Sequence, residues 1–79
     1  MKGESMKQQT IRIHTDFIKL EQLLKFASAV ESGGMAKEII QSGQVLVDGE
    51  PCTMRGKKLY PGNTAEFNGC LYTVAQDED

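Results

Sequence analysis

Apolar residues recur along this chain with two different periods, and the switch between them divides it into elements. From Thr10 to His14 the pattern alternates, with Ile11 and Ile13 on one side and Thr10, Arg12 and His14 on the other. A period of two predicts a short strand. Phe17, Leu20, Leu23, Leu24 and Ala27 then recur at helical spacing. An amphipathic helix is expected over 17–28, capped by Thr15 or Asp16. Ser32 has the chemistry of a second N-cap. Met35, Ala36, Ile39 and Ile40 form the apolar stripe of a second helix, and Gly43 stands where a left-handed C-terminal glycine belongs. Only a few residues link the helices, so they should pack as a helix-turn-helix-like pair.

After Gly43 the period returns to two. Gln44–Asp48 reads as a strand with Val45 and Val47 on one face. Asp48-Gly49 is a two-residue hairpin signal, and Glu50–Met54 can return along it. Arg55–Lys58 forms a basic loop, and Leu59-Tyr60 leads into a Pro61-Gly62 turn. Thr64–Phe67 and Cys70–Val74 flank a third turn at Asn68-Gly69. A two-residue loop there pairs Phe67 with Cys70 and Ala65 with Tyr72. Ala65, Phe67, Cys70, Tyr72 and Val74 then share one face, which fixes the register. The expected fold is α+β: two packed helices against a small, mainly antiparallel sheet. The expected organisation is a disordered leader over 1–7, one domain over 8–76 and an acidic tail over 77–79.

A chain of 79 residues makes one domain with a modest core. That size disfavours a deep substrate pocket with its supporting shells. Its apolar runs are too short for a membrane span, and no charged-then-apolar leader suggests a signal peptide. A cytoplasmic protein without a membrane partner is expected. Cys52 and Cys70 lie far apart, belong to no CxxC pair, and are accompanied by the single histidine His14. A zinc site needs about four ligands at characteristic spacings, so no metal is expected, and both cysteines are read as reduced thiols. One histidine at a strand end assembles no nucleophile–base constellation, and neither phosphate-binding glycine motif is present. The chain reads as non-enzymatic and without a cofactor.

The net charge of -2 argues against nucleic acid until its distribution is considered. Three of the eleven acidic residues, Asp77, Glu78 and Asp79, sit at the very end, while Arg55, Lys57 and Lys58 are bunched within one loop. Local fields matter more than totals for binding phosphate.

At this point the order of residues becomes specific. Lys19 to Gly49, KLEQLLKFASAVESGGMAKEIIQSGQVLVDG, resembles the RNA-binding domain first recognised in a ribosomal small-subunit protein, the S-four domain or αL motif. The family's positions are filled by Lys19-Leu20-Glu21, Ser32, Ala36-Lys37, Ile40, Gly43, Val45 and Val47-Asp48-Gly49. Leu59-x-Pro61-Gly62-Asn63 is similar to its closing turn. The match runs without a gap from Lys19 to Asn63, and the short length and N-terminal strand are similar to standalone bacterial members of the YaaA/YbcJ kind. Three positions depart from the family pattern. Gly33, followed by Gly34, replaces an arginine after Ser32; Asp48 stands where the family has Asn; Asn63 stands where it has Asp.

The resemblance implies a monomeric, ribosome-associated module that binds structured RNA, ribosomal RNA or a ribosomal particle, between the helix pair and the loop after the first hairpin. Carried over, the site comprises Lys19, Lys37, Gln41, Gln44, Arg55, Lys57 and Lys58, with Lys25 adding charge. Lys37 and Gln41 are four apart and share a helix face. Gly33 and Gly34 offer backbone N–H groups at a helix N-terminus, where the dipole favours an anion. Phe17, Phe26, Phe67, Tyr60 and Tyr72 are read as core or sheet residues, so recognition by shape and backbone is expected. Two rivals remain. A protein-interaction adaptor fits the near-neutral charge and the missing arginine. A DNA reader using the helix pair would need more base-reading side chains than Lys37 and Gln41 supply.

Overall fold

In a computed structural model, which describes residues 7–77, the first and last strands lie side by side. Strand β1 (Lys7–Ile13) pairs in parallel with β7 (Cys70–Gln76) along its whole length, from Lys7↔Cys70 to Ile13↔Gln76. Between them in sequence come β2 (Ile18–Lys19), α1 (Leu20–Phe26), α2 (Gly33–Gln41), β3 (Leu46–Val47), β4 (Glu50–Pro51), β5 (Lys58–Leu59) and β6 (Thr64–Phe67). One sheet has the order β1-β7-β6-β3-β4, and a separate ladder joins β2 to β5. The fold is α+β with a mixed sheet: three of its four pairings are antiparallel, and the longest, between β1 and β7, is parallel. The first strand also begins earlier than its apolar alternation. Backbone pairing with β7 continues through the exposed residues Lys7 to Thr10, where no side chain needs burying. Of the leader expected over 1–7, only Lys7 is among the described residues, and it opens β1. Of the acidic tail, Asp77 is described, and its N–H donates to the Ile13 carbonyl at 2.8 Å.

Helix α1 starts three residues later than its stripe predicts. Ile18 and Lys19 are extended, paired with Leu59 and Lys58, and Lys19 rather than Thr15 or Asp16 is the N-cap. The helix ends at Ala27, with Ser28 in the left-handed region at φ 60. Ser28 N–H donates to Lys25 O and Ala29 N–H to Leu24 O, which satisfies the last carbonyls. Helix α2 has the expected cap: the Ser32 hydroxyl accepts from Met35 N–H at 3.2 Å. Gly43 is left-handed at φ 83, donating to Ile40 O while Gln44 N–H reaches Ile39 O. Its buried face comprises Ala36 and Ile40 with half-buried Ile39. Met35, expected on that stripe, points out and is 45% exposed.

The hairpins follow the turn chemistry. Asp48-Gly49 and Asn68-Gly69 all have positive φ, as a two-residue loop with matching twist requires. The observed register contains the expected pairs Phe67↔Cys70 and Ala65↔Tyr72. The return strand after Gly49 is only Glu50–Pro51, though one further backbone bond, from Cys52 N–H to Val45 O at 2.9 Å, holds the chain beside β3 beyond it. Ile11, Leu20, Leu23, Leu24, Ile40, Val45, Leu59 and Val74 are fully buried, so both helices, the sheet and the β2–β5 ladder feed one core.

Candidate nucleic-acid interface

The basic loop is fastened to the start of α1 by main-chain bonds. Leu20 N–H donates to Lys57 O at 2.9 Å, and Glu21 N–H donates to Arg55 O at 3.1 Å. The first N–H groups of a helix have no partner within it, and here the loop carbonyls supply one. Gln22 adds to this by accepting from Lys19 N–H at 3.2 Å. The result gathers Lys19, Arg55, Lys57 and Lys58, all exposed, around one helix end.

The β2–β5 ladder sets their directions. Ile18 faces Leu59 and Lys19 faces Lys58. Directly opposed residues share a face, so Ile18 and buried Leu59 turn to the core while the two lysines turn outward. Like charges directly opposite destabilise a ladder by roughly a few tenths of a kcal/mol. No carboxylate among the described residues lies within salt-bridge distance of them; the one contact of that kind there joins His14 Nε2 to Asp77 Oδ2, at 3.1 Å. Phe17 and Tyr60 flank the same ladder with ring centroids 5.8 Å apart at an interplanar angle of 53°. Lys58 Nζ stands 4.9 Å from the Phe17 centroid, within cation–π range.

These rings correct the reading of the aromatics as core or sheet. Tyr72 is buried and Phe67 half-buried in the sheet, but Phe26 is 65% and Tyr60 48% exposed. The signal for Phe17 and Tyr60 lay in Phe17-Ile18-Lys19 and Lys58-Leu59-Tyr60, two short segments each with an apolar residue between outward-facing ones. Their pairing across the chain is what gives those segments meaning.

Lys37 and Gln41 are exposed on α2, and Lys25 is exposed in the last turn of α1. Gln44 is also exposed, with its amide Nε2 donating to Ser42 Oγ at 2.8 Å. Gly33 and Gly34 open α2. Neither has positive φ, and an added Cβ would meet nothing at Gly33 and only Ser32 Oγ, at 3.9 Å, beside Gly34. Nothing within the described fold requires glycine at either position.

Asp48, a negative charge near the expected RNA path, serves as a bracket. Its carboxylate accepts from Asn63 Nδ2 at 3.0 Å and from Thr64 N–H at 3.0 Å. Asn63 Oδ1 in turn accepts from Tyr60 N–H at 2.7 Å. Cys52 and Cys70 are free thiols, both half-buried. Burial pushes the Tyr72 hydroxyl up to about 12, with a hydrogen bond to Cys70 adding to the shift. No group of three or more His, Cys, Asp or Glu that could hold a metal ion exists among the described residues. No helix among them is long and apolar enough to cross a membrane.

Residues 11–75 match the family model described as "S4 domain". The chain is 48% identical over 59 residues to a Bacillus subtilis (strain 168) protein named "Probable ribosome maturation protein RlbA", covering 75% of this chain and 83% of the relative. It is 42% identical over 52 residues to the Escherichia coli (strain K12) protein named "Putative RNA-binding protein YbcJ", covering 66% of this chain and 74% of the relative. With most of its length inside the family model, and its helix pair, hairpin and closing turn falling within the match, the chain belongs to the S4 domain family.

Proposed function

We propose that this protein binds structured RNA without catalysing a reaction, and that its target is ribosomal RNA or a ribosome-assembly particle. The carrying observation is the cluster of Lys19, Arg55, Lys57 and Lys58, gathered by backbone bonds and lacking any carboxylate partner among the described residues. Phosphate contacts supply most of the affinity of such proteins and need Lys or Arg on a common surface. Lys37 and Gln41 on α2 and Gln44 just beyond it are further exposed polar residues counted in this site, with the N–H groups at Gly33 and Gly34 offered to an anion. The names of the Bacillus and Escherichia relatives support RNA and ribosome maturation as the setting. A monomer working in the cytoplasm fits this reading.

The test is binding to structured bacterial RNA against duplex DNA at two salt concentrations, with Lys37→Ala alongside. RNA should bind in preference to DNA, weaken as salt rises, and weaken further in the variant. Absence of RNA binding at low salt would overturn the proposal. It would favour a protein-partner adaptor, the reading that the exposed Phe26 side chain supports.

A further inference from the structure

Shape and backbone recognition alone leaves the outward face of the β2–β5 ladder unexplained. That face carries Lys19 and Lys58 directly opposite each other, flanked by Phe17 and Tyr60. The Phe17 ring is already engaged, with Lys58 over it and Tyr60 tilted against it. The Tyr60 ring is 48% exposed. Its backbone is held on both sides: Tyr60 N–H donates to Asn63 Oδ1 at 2.7 Å, and Tyr60 O accepts from Asn63 N–H at 2.8 Å. Pro61 restricts it further, since the residue before a proline is confined to extended conformations. An exposed aromatic on a fixed backbone, beside two opposed cations that have no carboxylate partner among the described residues, presents a flat apolar surface next to a phosphate-binding charge pair.

Resting on the RNA-binding reading above, we infer that Tyr60 is a stacking platform for an unpaired nucleobase, whose flanking phosphates lie against Lys19 and Lys58. The ligand class is RNA with a bulged or looped-out nucleotide, not uninterrupted duplex. Bases inside an A-form helix are stacked on one another and cannot meet a protein ring, whereas unpaired ones can. Fixing the platform before binding limits the ordering cost that a mobile side chain would add. Tyr60 thereby becomes a specificity-determining residue, while the lysines supply affinity that is indifferent to base pairing.

The experiment titrates the full chain against a blunt-ended RNA duplex and against the same duplex carrying a short adenosine bulge. Wild-type protein should prefer the bulged RNA. Tyr60→Ala should weaken binding to the bulged RNA about tenfold, as loss of one base–aromatic stack does, and leave the duplex nearly unchanged. Tyr60→Phe keeps the ring and should retain the preference. It also guards against misfolding, as does an unaltered thermal transition in Tyr60→Ala. Lys58→Ala should weaken both RNAs alike. Equal loss on both RNAs in Tyr60→Ala, or no loss on either, would overturn the stacking role while leaving RNA binding intact. Failure of the wild-type chain to bind either RNA would overturn both.

Discussion

Asp48 and Asn63 show how one residue pair ties two turns together. Asp48 holds a positive φ of 51, and its carboxylate takes the Asn63 amide and the Thr64 N–H. The family pattern has an amide at the first position and a carboxylate at the second, so in this chain the two groups have exchanged places while facing each other. Asn63→Asp alone would set two carboxylates together and leave one unpaired. A loss of about 0.5–1 kcal/mol is expected, because the site is exposed and water can take up the lost bond. Asp48→Asn alone should cost less, since an amide can still accept at one oxygen. The double exchange should recover most of the loss. A double-mutant cycle by denaturant unfolding checks this, and purely additive losses would show that the two residues act separately. Both departures from the family pattern were visible in the sequence. Their reciprocity was not, because it depends on two turns meeting across the fold.

At the scale of elements, legibility followed local chemistry. The Asn68-Gly69 turn and its register could be read because turn residues and alternation agree over one short stretch. Ser32 and Gly43 marked the ends of α2 for the same reason. The start of α1 could not be read, because Ile18 and Lys19 are drawn into extended pairing by Leu59 and Lys58, and two-residue strands carry no period of their own. The end of α1 was obscured by the absence of a glycine: Ser28 holds the left-handed position at φ 60. A non-glycine residue there costs roughly 1–2 kcal/mol, partly offset because it has less freedom to lose on folding than glycine. Ser28→Gly is therefore expected to stabilise the protein by about 0.5–1 kcal/mol, raising its thermal midpoint. Destabilisation would mean that the serine side chain has a role beyond its backbone angle.

For the whole molecule, the parallel pairing of β1 with β7 closes the fold on itself, and the helix pair and ladder complete a shared core. The acidic total hides a local cationic surface, since a net charge of -2 coexists with Lys19, Arg55, Lys57 and Lys58 around one helix end. In the sequence Arg55, Lys57 and Lys58 were bunched in one loop, and Lys19 was grouped with them only through the family resemblance. Their convergence, and the exposed Tyr60 beside them, came from the loop carbonyls docking onto α1. That docking uses main-chain atoms, so removing the side chains should leave the fold in place. The decisive measurement is the salt dependence of RNA binding for the wild-type chain and for the Arg55→Ala, Lys57→Ala, Lys58→Ala triple variant, each checked for an intact thermal transition. The triple variant should bind more weakly, with the slope of log affinity against log salt reduced by about 2–3, because fewer phosphates are then neutralised and fewer counterions released. A folded triple variant with wild-type affinity and slope would contradict a role for this loop in gripping RNA.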